Sequence, residues 1–455
     1  MSQTFDRSHF YSLLWKLMLP IVLQNLLSAI VSTADVLMLS GVSQDALSAS
    51  SLAGQVTFVL TLFYFGLSTG ASVLAAQYWG RGDRVTIGSV QGMALRYSAI
   101  VSMLFFAAAL CVPKMLMRAF TNDARLIDLG AGYLHGVSVS YLMMGISQML
   151  LAVMKSIEQT KLSAQISMSC LLCNVALNAV AIYIVFRGRE AEALCGVALA
   201  TSVARVAEVV LCLTAIRRSK GVRSSPESLL RTEKWLVKDY WKCTLPVQAN
   251  FLIWGCATAA IAAILGHIGS EVVAANALAG TLRNLVIVGC TSLGAAGSIM
   301  VGKLLGQSDF ENARWVGDRV FLGSLLLGAA SGLILLTLYW PCLAVARLDG
   351  GAATLFKWML VVNAVYCIGK SFNASLVAGL FCAGGDTRFG LICDTVTMWG
   401  VILPLGFCAA FIWKWPPMAV YALLCMDEFV KLPFVAVRYR KYKWLNNLTR
   451  EGKAD

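Results

Sequence analysis

Twelve stretches of about twenty or more mostly apolar residues follow one another along this chain, each long enough to cross a hydrocarbon layer roughly 30 Å thick. They fall at 14–40, 52–77, 90–112, 129–154, 162–186 and 193–216, then at 243–265, 272–303, 316–345, 352–382, 389–413 and 418–437. Hydrophobic residues make up 58% of the chain and charged residues 13%, against about 25% charged in a soluble domain. No water-soluble fold could hide that much apolar surface. The chain is therefore expected to be an all-α integral membrane protein with twelve transmembrane helices.

The second half repeats the first at a constant shift of 226 residues. Leu19-Pro20 matches Leu245-Pro246, Leu52-Ala53-Gly54 matches Leu278-Ala279-Gly280, and Ser72, Gly80, Asp83 and Arg205 match Ser298, Gly306, Asp309 and Lys431. Agreement at separated points without drift marks an internal duplication. Six crossings per half is an even number, so both halves point the same way. The expected architecture is two parallel six-helix repeats around a central cavity, a design in which halves rock for alternating access.

The expected organisation is an N-terminal lobe at 1–216, a cytoplasmic connector at 217–242, a C-terminal lobe at 243–437 and a basic tail at 438–455. The connector is charged and contains Pro226. Lysines and arginines concentrate in alternate loops, among them Arg81, Arg84, Arg217, Arg218, Lys238, Arg388, Arg438 and Arg440. By the positive-inside rule both termini are then cytoplasmic. The first sixteen residues lack the pattern of a cleaved signal peptide, so the first helix reads as retained.

Several features suggest other functions and are set aside. The net charge of +13 sits between apolar segments instead of on a soluble face, so no nucleic-acid partner is expected. Gly297 to Leu304 imitates a phosphate loop, but Leu304 stands where the magnesium-holding hydroxyl belongs and no strand precedes it. Cys170 and Cys173 lie in an apolar helical run without a second pair and read as buried hydrophobes. His9, His135 and His267 have no metal-ligand spacing, and no nucleophile with its base is recognisable, so an enzyme is not expected. Asn447-Leu448-Thr449 fits a glycosylation pattern but falls on the cytoplasmic side of this topology.

Polar groups within the apolar runs are the candidate functional residues. Asp35 lies well inside the first helix, where an uncompensated carboxylate costs several kcal/mol, and a proton, a sodium ion or a cationic substrate could neutralise it. Arg283, in the eighth helix, has Thr57 at its equivalent position; it is a candidate for the substrate cavity, where it could meet an anionic group or a partner acid. Gln24, Asn25, Ser28 and Gln148 in the first half, with Asn250 and Asn284 in the second, are candidates for a substrate-cavity wall. Arg205 with Glu208, and Glu428 with Lys431, stand three residues apart on helices and could neutralise each other.

Longer stretches carry a family resemblance. The first helix reads LPIVLQNLLSAIVSTADVLMLSG and is followed by ALSASSLAGQV and STGASVLAAQYWGRGD; later come CNVALNAVAIY, LATSVARVAE and GGDTRFGLICDTVTMWGVILPLG. In order and spacing these resemble the multidrug and toxic compound extrusion (MATE) family over nearly the whole chain, and the ending resembles its bacterial members. The resemblance makes Asp35 the ion-coupling aspartate, with Asn174 and Asn178 on the fifth helix and Thr201 on the sixth as neighbours. Four side chains with oxygen suit a hard cation or a hydrogen-bonded proton. Asp394 of the eleventh helix would be a structural or gating residue, as would the Arg205–Glu208 and Glu428–Lys431 pairs.

Two departures from the family pattern matter. Some members carry acids in the seventh and tenth helices, yet no Asp or Glu lies between Pro246 and His267 or between Gly351 and Gly385. Others carry a second aspartate on the fifth helix where Asn178 stands. Under the 226-residue shift Asp35 projects onto Ile261, and Asn174 and Asn178 onto Gly400 and Pro404. The ion-coupled switch is thus expected in the first half alone.

The function implied is secondary active export of small cationic amphipathic compounds in exchange for sodium or protons. The setting is a bacterial cytoplasmic membrane, inner or sole. No cofactor is called for beyond the coupling ion, no metal beyond sodium at Asp35, and the partners are small-molecule substrates and the lipid bilayer, without an obligate protein partner. The alternatives are a flippase for a lipid-linked precursor and a non-transporting membrane receptor or scaffold.

Overall fold

The computed structural model describes residues 5–218, 232–345 and 350–450. Half of the expected connector, residues 219–231, and the last five residues of the tail lie outside these. Every regular element among the described residues is helical. Among the described residues, eleven helices are long and apolar enough to cross a membrane. They begin with α1 (Phe10–Ser40), α2 (Gln44–Arg81), α3 (Arg84–Cys111), α4 (Ala124–Ser156), α5 (Thr160–Val185) and α6 (Glu190–Arg218). The second half supplies α7 (Lys234–Ile268), α8 (Ser270–Gly306), α9 (Phe310–Thr337), α10 (Gly351–Phe381) and α11 (Thr387–Ile412).

The twelfth expected crossing, 418–437, is divided. A turn at Cys425 and Met426 separates α12 (Pro417–Leu424) from α13 (Asp427–Arg440). The charges at Asp427, Glu428 and Lys431 keep α13 from being a continuous apolar element, and all three are buried. Their role is in packing within the protein, described below.

The duplication is visible in small structural devices. Asp83 and Asp309, equivalent under the shift, cap α3 and α9: their carboxylates accept from the backbone N–H of Thr86 at 3.0 Å and Asn312 at 3.1 Å. The preceding residues Gly82 and Ser308 both take left-handed backbone, with φ of 84° and 59°. Serine pays a steric cost there that glycine does not. A single turn of π-helix ends α5 at Ala181–Val185, and another ends α11 at Cys408–Ile412, within a residue of the same register.

The chain forms two compact units, Leu23–Trp241 and Met1–Val22 with Lys242–Asp455. The division runs through α1 just past Pro20 and through α7 just before Pro246. In the second unit Phe10, Leu17, Met18 and Ile21 join a core with Leu293, Val316, Phe372 and Trp444. In the first unit, reciprocally, Tyr240 stacks on Tyr97 and its hydroxyl donates to the Leu67 carbonyl at 3.0 Å.

Within the first unit α4 packs against α2, α3 and α6, and α5 packs against α6. Small residues permit the approach. A methyl at Gly136 would stand 2.8 Å from Ala198 Cβ on α6, and one at Gly145 would meet Ser102 of α3 and Tyr64 of α2. Tyr64 donates to the Tyr141 carbonyl at 2.9 Å, and Ser202 to that of Gly136 at 2.8 Å. In the second unit α10 takes the corresponding place, against α8, α9 and α13. Gly332 of α9 sits against the Ala364 backbone, and Gly294 of α8 against Gly379 of α10. Ile100, Leu104, Leu172, Ile184, Leu326 and Leu333 remain exposed, an apolar exterior suited to lipid.

Candidate functional site

Asp35, five residues before the end of α1, is partly buried and lines an open cleft of about 620 Å³. Asn178 Nδ2 donates to Asp35 Oδ1 at 2.8 Å and also approaches Asn174 Oδ1 at 3.4 Å. Asn174 Nδ2 in turn donates to Thr201 Oγ1 at 3.2 Å, and the threonine hydroxyl donates to the Val197 carbonyl at 3.1 Å. The four residues expected from the sequence therefore form one hydrogen-bonded row across α1, α5 and α6. The spacing of four between Asn174 and Asn178 places both amides on one face of α5.

The row is not saturated. Asn178 Oδ1 is buried and has no hydrogen-bond partner. A buried acceptor left without a donor costs roughly 1–3 kcal/mol, so its retention beside a carboxylate is chemically informative. Asp35, Asn178 and Asn174 together offer carboxylate and amide oxygens within a few ångströms, the donor type that hard cations prefer. The same oxygens can hold a proton by hydrogen bonding. Tyr133 of α4 and Ser48, Ser50 and Ser51 of α2 complete the wall of the Asp35 cleft. These were not singled out from the sequence: a tyrosine or serine in an apolar helix is common and only its position opposite Asp35 distinguishes it.

The first-half cavity residues gather elsewhere. Gln24, Asn25, Ser28 and Gln148 line a second cavity of the same unit, about 300 Å³, together with Lys155, Arg205 and Glu208. Glu208 is 2% exposed and pairs with Arg205 at 2.8 Å, as the sequence spacing suggests. Gln24 Oε1 and Ser167 Oγ are buried there without partners.

The second-half candidates separate into two groups. Arg283 and Asn284 line a cavity of about 270 Å³ in the second unit with Trp254, Tyr366, Lys370 and Asp427; Ile261, the equivalent of Asp35, is also on its wall. Asn250 instead donates to Asp394 Oδ2 at 2.8 Å. Asp394 also accepts from Lys431 at 2.8 Å, and Lys431 stands 3.1 Å from Glu428 and 3.7 Å from Asp427. Glu428 takes further bonds from Lys370 at 2.9 Å and Asn373 at 2.7 Å. The sequence pair Glu428–Lys431 is thus the centre of a buried charge network spanning α7, α10, α11 and α13. Lys370 and Asp427 join it only through the fold.

Comparison with known proteins extends this picture to the whole chain. The MatE family profile matches residues 20–180 and again 246–408, one match in each half, starting at the two equivalent prolines. An uncharacterised transporter of Bacillus subtilis, YisQ, is 22% identical over 96% of this chain and 94% of its own length. A probable multidrug resistance protein NorM of Bradyrhizobium diazoefficiens is 24% identical over 93% of this chain and 92% of its own. Among solved structures, a mutant of the MATE transporter VcmN of Vibrio cholerae superposes with a TM-score of 0.86 at 14% identity, covering 96% of this chain and 99% of that one. At that identity the likeness shows the fold. These relatives lend no support to the flippase alternative, nor to an enzyme. With both halves matched and most of the length covered, the chain is a multi-pass membrane transporter and belongs to the MatE family of multidrug and toxic compound extrusion proteins.

Proposed function

We propose that this transporter exports small cationic amphipathic compounds in exchange for sodium ions or protons taken up at Asp35. The observation that carries the reading is the row Asp35–Asn178–Asn174–Thr201 with its orphaned Asn178 oxygen. A carboxylate in a low-dielectric setting is strongly disfavoured unless something neutralises it. An ion bound there satisfies both the carboxylate and the spare amide oxygen. A cationic substrate in the same cleft competes for the same charge, so the two cannot be held equally well together. That competition is the basis of exchange: each ligand shifts the protein toward the state that binds it better.

The apolar walls of the cleft, with Val36, Leu39, Leu47 and Leu52 beside Tyr133, favour an amphipathic body attached to the cation. The basic loops support a topology with both termini in the cytoplasm of a bacterial cell. Asp394, Arg205, Glu208, Glu428 and Lys431 serve as structural or gating charges in this scheme, bound to one another and not to the ion.

The test is transport of a cationic dye in proteoliposomes under a sodium gradient and, separately, a proton gradient. Asp35→Asn is expected to abolish the response to whichever gradient drives the intact protein. Unchanged gradient-driven transport in that variant would remove Asp35 from the coupling.

A further inference from the structure

We propose that the cavity of the second unit is an anion site, built to take an aromatic monocarboxylate on Arg283. The site is independent of ion coupling at Asp35 and goes beyond the reading above. The argument begins with the charge of Arg283. Its Nη1 donates to Asn363 Oδ1 at 3.0 Å, and its guanidinium stands 5.1 Å from the centre of the Tyr366 ring. Among the described residues it forms no ion pair. A guanidinium carries five N–H donors, so one neutral hydrogen bond and one aromatic face leave most of them, and the whole charge, without a counterpart.

The acids nearby are already engaged. Glu428 is held by Lys370, Lys431 and Asn373 at 2.9, 3.1 and 2.7 Å. Asp394 is held by Lys431 and Asn250, both at 2.8 Å. Of the ionisable groups on the cavity wall, Arg283 and Lys370 are cations and Asp427 is an anion. Lys370 is paired with Glu428 at 2.9 Å, so of the two cations on the wall Arg283 is the one outside an ion pair. Helices α8 and α10 contribute basic residues to this space and, together with the cavity-lining part of α7, no acid.

The guanidinium is also oriented. Asn363 is fully buried, and its amide nitrogen donates to Tyr421 Oη at 2.7 Å and to the Met359 carbonyl at 2.8 Å. With both amide protons committed, its oxygen is fixed toward Arg283. A planar fork held on one edge presents its remaining edge for a bidentate bond, the geometry that suits a carboxylate. Trp254, Ile261 and Met398 also line the cavity, and their apolar surfaces suit an aromatic ring. Asp427 on the same wall repels a second negative charge, so the occupant is a monoanion in preference to a dianion.

The test measures binding by the full-length protein in nanodiscs of zwitterionic lipid, at low and high salt, with radiolabelled benzoate as the probe. Benzamide and benzylamine, of nearly the same shape, and phthalate serve as competitors. Benzoate is expected to bind saturably and to be displaced at least tenfold more weakly by each of the three. Arg283→Gln should abolish binding, and Arg283→Lys, which keeps the charge without the fork, should weaken it about tenfold. Asp35→Asn should leave it unchanged, which separates this site from the coupling site. Absence of saturable benzoate binding in the intact protein, or equal competition by benzamide, would overturn the proposal. Because those two readouts use only the unaltered chain, a variant that failed to fold would not shelter it.

Discussion

Asn178 gives one amide proton to Asp35 at 2.8 Å while its own oxygen, buried, receives nothing. The asparagine therefore does two things at once: it positions the carboxylate and adds a second oxygen beside it. Asn178→Ala removes both. A hydrogen bond to a charged group contributes about 1.5–3 kcal/mol, and 1.4 kcal/mol is a factor of ten. Under a sodium gradient the variant should need at least about tenfold more sodium for half-maximal dye export. An unchanged sodium dependence would show that the orphaned oxygen is not a ligand.

Tyr133 separates the role of an aromatic face from that of a hydroxyl. It lines the cleft with Asp35 but no hydrogen bond ties its oxygen to that carboxylate. If the ring receives the cationic end or the apolar body of the substrate, Tyr133→Phe should transport like the intact protein. Tyr133→Ala should raise the KM for a cationic dye roughly fivefold, in line with a cation–π contact of about 1 kcal/mol. The opposite order, with phenylalanine as damaging as alanine, would assign the effect to the hydroxyl.

Much of this organisation is legible in the sequence because lipid imposes it. Apolar length marks eleven of the twelve expected crossings, and the shift of 226 residues locates equivalent caps such as Asp83 and Asp309. Asp35 stands out because an acid inside an apolar helix is rare. What escapes is whatever depends on which helix faces which. Glu428 and Lys431 are visible as a pair three apart, but Lys370 and Asp394 reach them from elements 58 and 37 residues away in sequence. Nothing local announces that meeting. The same charges divide the twelfth expected stretch, where α13 packs its buried charges against α10 and α11 instead of continuing the apolar run of α12. The π-helical turns that end α5 and α11 have no sequence signature comparable to a proline or a cap.

Gly332 tests the close contact of α9 with α10. A methyl group there would stand 2.4 Å from the Ala364 carbonyl oxygen and 3.1 Å from its carbon, both backbone atoms of a packed helix. No side chain can rotate aside to relieve the clash. Overpacking of this kind costs about 1–3 kcal/mol, against a gain of at most about 1 kcal/mol from replacing glycine by alanine in a helix. Gly332→Ala should therefore lower the melting temperature in detergent. Gly54→Ala, where nothing lies within 4 Å of the added methyl, should not. Equal effects at the two positions would mean that α9 and α10 are not packed as closely as described.

Lys431 is 7% exposed at its side chain and neutralises carboxylates from two helices, Asp394 at 2.8 Å on α11 and Glu428 at 3.1 Å on α13. Lys431→Met keeps the aliphatic length and removes the charge, which leaves Asp394 with only the Asn250 amide as a partner. Breaking a buried pair by deleting one member costs about 3–5 kcal/mol, because the survivor is stranded in a medium that cannot solvate it. The variant should lose stability by that amount, read as a marked fall in melting temperature or as poor recovery in detergent. Adding Asp394→Asn to the same chain removes the stranded charge while keeping the shape. The double variant should then recover a large part of the loss, and the coupling energy between the two positions should reach at least about 1 kcal/mol. Additive losses would mean that Lys431 is held by Glu428 and Asp427 alone, and that Asp394 contributes to α11 without fixing α13 against it.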